Sequence, residues 1–161
     1  MAKVMILMGS DSDWPVMKKS TEILKKFDVD FEVRVSSAHR TPQKTVALVE
    51  NFNGACFIIG AGAAAHLAGV VAAHTTKPVI AVPINATPLN GVDALYSTVQ
   101  MPSGIPVASM AIDGSKNAAL FAVQIIAVSD ENTRKKLVQY KKDMVTEVNA
   151  KDENLQKSIS E

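Results

Sequence analysis

A short polar segment, residues 36–42, holds the side chains best suited to chemistry in this sequence. It reads Ser-Ser-Ala-His-Arg-Thr-Pro and follows an alternating run at 31–35, so it begins where a strand is expected to end. In an open α/β sheet, ligands bind outside the carboxyl ends of the strands. His39 could transfer a proton there, and Arg40 could grip one phosphate through its planar guanidinium. From these residues alone, a surface loop with two incidental charges is the alternative.

A second polar loop lies near the amino terminus, where residues 9–13 read Gly-Ser-Asp-Ser-Asp after an apolar run. The glycine permits a tight turn, and the hydroxyls of Ser10 and Ser12 together with a helix amino terminus can hold an anion. Asp11 or Asp13 could accept hydrogen bonds from sugar hydroxyls. A helix start capped by Ser12, without any ligand, is the commoner explanation, and the two acids disfavour a highly charged pyrophosphate.

The third loop is rich in glycine and alanine. Residues 60–65 read Gly-Ala-Gly-Ala-Ala-Ala, which resembles a dinucleotide-binding fingerprint. The match is superficial, because the fingerprint belongs after the first strand and needs an acid at the end of the next strand. Here the loop follows the third strand, and the next strand ends without an acid. Such small side chains would instead let backbone approach a flat ligand and line a small apolar niche. His66 follows in the first turns of a helix, whose dipole disfavours the protonated imidazole. It could donate a hydrogen bond as a neutral group, but the sequence alone favours a core histidine satisfied by backbone.

Alternating apolar segments must position these loops. Continuous apolar runs ended by glycine are typical of parallel strands covered on both faces, and the segments between them have helical spacing. Strands are predicted at 4–8, 31–35, 55–59, 78–82 and 106–112, and helices at 13–27, 41–51, 60–74, 92–99, 115–128 and 130–150, before a polar tail from 151 that is expected to fray. This alternation predicts an α/β fold, a three-layer αβα sandwich with a parallel sheet of about five strands and a C-terminal helix.

Composition narrows the class of protein. A chain of 161 residues, 47% hydrophobic and 20% charged, is predicted to form a single domain. Its net charge of +1 gives no field that would attract nucleic acid or an anionic membrane. The single cysteine, Cys56, fits a reducing compartment, and no secretory signal, membrane-spanning run or convincing metal-binding cluster is found. A soluble cytoplasmic protein is expected.

Charged residues are scarce in the middle of the chain. Between residues 51 and 129 the only charged side chains are those of Lys77, Asp93, Asp113 and Lys116. A monomer of this size would expose much of that stretch to water, so the lack of charge predicts burial against other subunits. Core strands and small-residue helices explain part of the pattern but not its length. We therefore expect a tightly packed homo-oligomer.

Taken together, the three loops resemble those of the bacterial-type (class I) 5-(carboxyamino)imidazole ribonucleotide mutases of purine synthesis. The shared segments are residues 8–14 (MGSDSDW), 37–42 (SAHRTP) and 60–67 (GAGAAAHL), with further family motifs at 91–97 (GVDALYS) and 99–106 (VQMPSGIP). The similarity extends from about Val4 to Lys142. It implies a flavodoxin-like domain that assembles into a homo-octamer. The implied reaction moves a carboxylate from the exocyclic amine of an aminoimidazole ribonucleotide to ring carbon 4, with no cofactor and no metal.

The resemblance also implies which residues bind the ribonucleotide. Ser10, Asp13 and Arg40 would contact it directly. Ser12 and Ser37 would assist around its phosphate and ribose. The resemblance leaves open which serine touches phosphate and which touches sugar.

The resemblance implies that His39 is the catalytic acid and base. The loop that contains Gly62, Ala63 and His66 would enclose the migrating carboxyl group. Two positions depart from the family pattern, which usually has glycine at 63 and proline at 68, where this chain has Ala63 and Ala68. A methyl at position 63 could narrow the niche for carbon dioxide or alter closure of the loop.

Three other functions stay open at this stage. A carboxylase on the same scaffold would take aminoimidazole ribonucleotide and free carbon dioxide directly, although the histidine motifs favour the mutase. A non-catalytic flavin- or nucleotide-binding module with a flavodoxin-like fold is the second alternative. A phospho-acceptor signalling domain, prompted by Asp11 and Asp13, would need a lysine at the end of the fifth strand, where residues 112–114 read Ile-Asp-Gly.

Overall fold

A parallel five-stranded sheet forms the centre of the fold. The structure is a computed structural model that describes residues 3–159. The strands are β1 (Lys3–Met8), β2 (Asp30–Val35), β3 (Cys56–Gly62), β4 (Val79–Ile84) and β5 (Ala108–Ser109). They lie in the order β2-β1-β3-β4-β5, and every neighbouring pair is parallel. This is the flavodoxin-like doubly wound order, so the predicted fold class is confirmed.

Helices follow the strands, because parallel neighbours can be joined only by crossover connections. They are α1 (Trp14–Lys26), α2 (Pro42–Glu50), α3 (Leu67–Ala73), α4 (Val92–Val99), α5 (Ser115–Ala127) and α6 (Glu131–Ile159). The chain divides into two compact units, the first extending to Ile125 and the second beginning at Ile126. The sheet lies in the first unit and α6 in the second. Organisation of the whole chain as one domain stays a prediction.

The central strands are buried on both faces, as their apolar runs predicted. Ile6 and Leu7 on β1, Ile58 and Ile59 on β3, and Ile80 on β4 are at most 1% exposed. Burial of a side chain of this size contributes about 1.5–3 kcal/mol. These strands therefore anchor the loops that leave their carboxyl ends. Within residues 3–159, no helix is both long enough and apolar enough to cross a membrane.

The largest difference from the predicted elements lies at the glycine-rich third loop. The sequence predicted a helix from Gly60, but β3 continues to Gly62, which pairs with Ile84 of β4, and α3 begins only at Leu67. A Cβ added to Gly60 would lie 2.5 Å from the Sδ atom of Met17 on α1. This glycine therefore marks a close approach of helix and strand rather than the start of a helix.

The fifth strand is shorter than predicted. β5 spans only Ala108–Ser109, against the predicted range 106–112. Met110 still donates its N–H to Ala81 O at 2.8 Å. Pro83 follows on β4 and has no N–H to donate, so the regular ladder ends there.

The last helix is longer than predicted. α6 continues to Ile159, past the predicted end at Ala150, so residues 151–159 are helical and the expectation of a frayed tail is wrong for them. No glycine or proline interrupts this segment, and its lysine, glutamate, glutamine and leucine residues have good helix propensity. The last two residues of the predicted tail lie outside the described residues.

Candidate active site

A cleft of about 340 Å³ opens at the carboxyl ends of the strands, in the first unit of the chain. It lies between β1 and β3, where the strand order reverses, and the loops after β1, β2, β3 and β4 surround it. Doubly wound sheets bind their ligands at this switch point. All of the site residues predicted from the sequence line the cleft, namely Ser10, Ser12, Asp13, Ser37, His39, Arg40, Gly62, Ala63 and His66.

One wall of the cleft was missed by the sequence analysis. Ala86, in the loop after β4, lines the cleft beside Gly62. A Cβ added to Gly62 would lie 2.5 Å from the Ala86 Cβ, so glycine is required there by the close approach of the two loops. The available signal was the position of Ala86 just beyond a strand adjacent to β3, but an alanine carries no reactive group to draw attention to it.

The loop after β1 is held by its own side chains. Ser10 caps a 3₁₀ turn at Asp11–Asp13: its Oγ accepts a hydrogen bond from the Ser12 N–H at 3.3 Å, and Asp13 Oδ2 accepts one from the Ser10 N–H at 3.2 Å. This reciprocal arrangement is a capping box. The expectation that Ser12 caps the helix is wrong, because Ser10 caps the turn and Asp13 is the N-cap residue of α1.

Asp13 is a buried carboxylate at the cleft, with 5% of its surface exposed. Burial raises the pKa of this carboxyl because the charged form loses hydration, and hydrogen bonds from the backbone of Ser10 and Gly9 partly oppose the rise. A carboxylate of this kind, with acceptor capacity left over, is suited to receive hydrogen bonds from the hydroxyls of a ligand.

We expect Asp13→Asn to raise the free energy of unfolding at neutral pH. The pKa of Asp13 in the folded state lies above its ordinary value of 3.8, so the folded state holds this proton more tightly than the unfolded chain. Stability is therefore lost as pH rises through the folded pKa, and the neutral amide removes that loss. Thermal unfolding at several pH values should show an advantage at neutral pH that disappears in acid.

Asp11→Asn is the matched control for this experiment, since Asp11 lies in the same loop but is exposed. It should show no comparable gain. An Asp13→Asn variant that is no more stable than the unmodified protein at neutral pH would contradict the assignment of a destabilising buried charge.

The loop after β2 is a tight turn that brings His39 and Arg40 to the cleft. Thr41 closes the turn: its N–H donates to Ser37 O at 2.9 Å, and its Oγ1 accepts from the Ser37 N–H at 3.0 Å. Arg40 reaches across to the first loop, where Nη2 donates to Gly9 O at 3.2 Å. The ion pairs found within residues 3–159 do not include Arg40, so its charge and most of its donors are available to an anion.

Two imidazoles meet in the cleft. His39 Nε2 lies 2.9 Å from His66 Nδ1, and the two rings are nearly perpendicular, with an interplanar angle of 85°. One ring donates and the other accepts in this hydrogen bond, so a proton gained by one imidazole changes the role of the other. Both side chains are exposed, and His66 is the N-cap residue of α3. The interpretation of His66 as a core histidine is therefore wrong.

The loop after β3 contains a strained residue. Ala63 has a φ angle of 52°, in the left-handed region, and it lines the cleft. In that region the Cβ atom lies too close to the following carbonyl oxygen, which costs about 1–2 kcal/mol. A residue with a side chain persists there only when its surroundings hold it, so the loop is fixed by contacts outside itself.

We expect Ala63→Gly to raise the free energy of unfolding by about 0.5–1 kcal/mol. The substitution relieves the left-handed strain, and the greater flexibility of glycine in the unfolded chain offsets part of the gain. Ala64→Gly is the matched control, because Ala64 is an exposed neighbour that is not among the residues with positive φ. Glycine at 64 should lower stability, and chemical denaturation of both variants measures the two effects. Equal losses in both variants would show that position 63 is not strained.

Comparisons with known proteins bear on this cleft. A family model described as AIR carboxylase matches residues 3–147. The N5-carboxyaminoimidazole ribonucleotide mutase of Methanocaldococcus jannaschii is 54% identical over 152 residues, which cover 94% of this chain and 96% of that protein. The mutase of Pyrococcus abyssi is 52% identical over 147 residues, which cover 89% and 84%. The crystal structure of Treponema denticola PurE is similar with a TM-score of 0.88 at 31% identity, covering 96% of this chain and 99% of that one.

The fold and the cleft define a flavodoxin-like α/β protein with a pair of hydrogen-bonded histidines at its switch point. The chain belongs to the AIR carboxylase family. The resemblance that the three loops indicated is therefore confirmed. The relatives are named as enzymes, which favours catalysis over the flavin-binding and phospho-acceptor alternatives.

Proposed function

We propose that this cleft converts 5-(carboxyamino)imidazole ribonucleotide into 4-carboxy-5-aminoimidazole ribonucleotide. The predicted class of enzyme, an isomerase of purine biosynthesis, is confirmed by the mutases to which the chain is similar. The assignment of residues to steps is our proposal. It depends above all on the 2.9 Å contact between His39 and His66, in a cleft that also holds Arg40 and a wall of small residues.

The ribonucleotide binds between the first two loops. Arg40, which bridges these loops through its contact with Gly9 O, holds the phosphate with charge-assisted hydrogen bonds. The hydroxyls of Ser10, Ser12 and Ser37 lie around the same part of the cleft and complete the polar contacts. The buried carboxylate of Asp13 accepts hydrogen bonds from the ribose. The aminoimidazole ring then lies toward the third loop and the two imidazoles.

The carboxyl group migrates as carbon dioxide. An N-carboxylate is labile, and ring carbon 4 of an aminoimidazole behaves like the carbon of an enamine. The simplest path is therefore loss of carbon dioxide from nitrogen, followed by attack of carbon 4 on the carbon dioxide that was released. The released gas must be kept from water and against the ring, and this role falls to the small residues Gly62 and Ala63, which line the cleft. Holding both fragments in contact supplies much of the rate acceleration.

A single imidazole serves both proton transfers. Protonated His39 gives its proton to the departing nitrogen in the first step. After attack, carbon 4 is tetrahedral and carries one proton too many, and neutral His39 removes it to restore aromaticity. The imidazole ends the cycle as it began, and its hydrogen bond to His66 fixes its orientation. General acid–base catalysis of this kind contributes about 10²- to 10⁴-fold in rate.

The test of this function separates the mutase from the carboxylase alternative, an activity that the description of the family model also names. The two substrates are supplied separately, with bicarbonate controlled. A mutase turns over 5-(carboxyamino)imidazole ribonucleotide without added bicarbonate. Turnover of aminoimidazole ribonucleotide with bicarbonate, and none of the N-carboxylated substrate, would establish the carboxylase instead.

The enzyme works as a homo-octamer, as the resemblance implies. In the first unit, one face of α4 is apolar and open to solvent: Val92, Tyr96 and Val99 are 42%, 64% and 44% exposed. A face of this kind, together with the uncharged middle of the chain, fits burial against other copies. Sedimentation velocity should report a particle of eight chains, and a monomer at micromolar concentration would contradict the assembly.

The whole chain acts as one domain in the cytoplasm, and it needs no cofactor and no metal. The proposed chemistry uses only proton transfer and a confined gas, so it calls for neither a redox group nor a Lewis acid. Burial raises the pKa of the Cys56 thiol to about 12, so the single cysteine stays protonated and is not a nucleophile. Dialysis against a chelator should leave turnover unchanged.

A further inference from the structure

The loop between β3 and α3, residues 63–66, is held by a residue from another part of the first unit. The Ala65 N–H donates to the Oγ of Ser97, on α4, at 2.9 Å. Ala65 is only 2% exposed, and a backbone N–H in such a place needs a partner inside the protein. Ser97 itself does not line the cleft.

The Ser97 hydroxyl is oriented by its own helix. It has one hydrogen to donate, and its nearest acceptor is the Asp93 carbonyl oxygen, one turn earlier on α4, at 2.8 Å. The Ala94 carbonyl oxygen is farther away, at 3.2 Å. Donation along the helix leaves the lone pairs of Oγ for the Ala65 N–H. α4 therefore presents a fixed acceptor to the loop.

The loop requires such an external contact for two reasons. Ala63 lies in the left-handed region at a φ of 52°, a conformation that an alanine does not hold by itself. Ala65 directly precedes His66, so the position of its backbone determines where the His66 imidazole stands. The hydrogen bond between the two imidazoles, with His66 Nδ1 2.9 Å from His39 Nε2, depends on that position.

We propose that Ser97 is a positioning residue for the mutase reaction. It accepts the Ala65 N–H, fixes the loop and so holds the His66 imidazole against His39, without touching the substrate. The inference rests on the proposed function for the identity of the proton carrier.

Ser97→Ala should lower kcat about tenfold while KM changes by less than a factor of about two, because the groups that hold the phosphate and the ribose stay in place and the His66 imidazole does not. Ser97→Thr keeps a hydroxyl that can donate to the helix carbonyl, and should restore most of the lost kcat. Ser97→Cys keeps a side chain of similar volume but has a weak acceptor, so its kcat should lie between those of the alanine and threonine variants. It replaces Ser97→Ala in the experiment if the alanine variant fails to fold.

Ser20→Ala is the matched control. The Ser20 hydroxyl also donates to a carbonyl of its own helix, Met17 O at 2.6 Å, but it lies on α1 and does not line the cleft. This variant should unfold at a lower temperature and keep its kcat. A Ser97→Ala variant that behaves in the same way, with loss of stability and full kcat, would overturn the proposal.

A second measurement does not depend on turnover. The distance between His39 Nε2 and His66 Nδ1 is 2.9 Å in the unmodified protein, and in a crystal structure of Ser97→Ala it should exceed hydrogen-bond reach. An unchanged distance in Ser97→Ala would overturn the positioning role. If His39 proved dispensable for turnover, the proposed proton carrier would be wrong, and this distance would still decide whether Ser97 positions His66.

Discussion

His39→Asn should lower kcat by a factor of about 10²–10⁴, the usual contribution of a positioned acid–base group. Asparagine can neither protonate the departing nitrogen nor remove the proton from carbon 4, so both steps fail at once. The amide is similar in size to the imidazole and leaves Arg40 and the first loop untouched, so affinity for the ribonucleotide and assembly should be unchanged. Steady-state kinetics with calorimetric binding of the product measures both quantities.

His74→Asn is the matched control, because His74 is the C-cap residue of α3 and does not line the cleft. Its Nδ1 atom lies 3.9 Å from Glu50 Oε1. It should keep full activity. Substantial residual turnover in His39→Asn would exclude His39 as the proton carrier, and a loss of product affinity as large as the loss of kcat would assign it to binding instead.

Arg40→Gln should weaken binding of the ribonucleotide about 10- to 100-fold. A hydrogen bond to a charged group contributes about 1.5–3 kcal/mol, and the guanidinium is free of ion pairs within residues 3–159. Arg40→Lys should recover only part of this affinity, since a lysine ammonium cannot form the planar two-point contact with a phosphate. Product titrations at low and moderate salt concentration measure the loss, which should diminish as salt rises.

The matching nucleoside, which lacks the phosphate, makes this prediction specific. Its affinity is expected to be the same for Arg40→Gln and for the unmodified protein. Arg34→Gln is the protein control, because Arg34 is paired with Glu32 on β2 and does not line the cleft. Equal losses of nucleoside and nucleotide affinity in Arg40→Gln would mean that Arg40 orders the loop rather than binding phosphate.

Most of the strands and helices could be predicted from the sequence because their determinants are local. Residues 4–8 are all apolar and end at a glycine, and such a run is stable only between two covering layers. Pro42 suits the first turn of α2, and the spacing of Met17 and Leu24 puts both on the buried face of α1. Where local signals conflicted, prediction failed: Gly60 looked like the opening of a helix and is a strand residue against α1.

The residues of the candidate site also differ in how far the sequence could predict them. Residue type alone marked His39, Arg40 and the hydroxyls of the first loop, because few side chains can transfer protons or bind phosphate. The choice of Asp13 over Asp11, and the role of Ser37, came from the family resemblance. The sequence could not predict that His66 lies outside the core and forms a hydrogen bond with His39. That contact joins the loops after β2 and β3, two strands that lie on either side of β1. Ser97 ends the family motif at 91–97, but the motif did not indicate what this serine contacts, and nothing pointed to Ala86. Their contributions are a backbone contact and a close approach that exist only in the folded chain.

By itself, the sequence determined which segments form strands and helices and which side chains can do chemistry, because both follow from residue type and short-range spacing. The tertiary structure decided which of those side chains meet. The order and register of parallel strands place loops that are far apart in the chain at one edge of the sheet. Only that arrangement brings His66 Nδ1 within 2.9 Å of His39 Nε2. It also lets Ser97 on α4 accept a hydrogen bond from Ala65, the residue before His66.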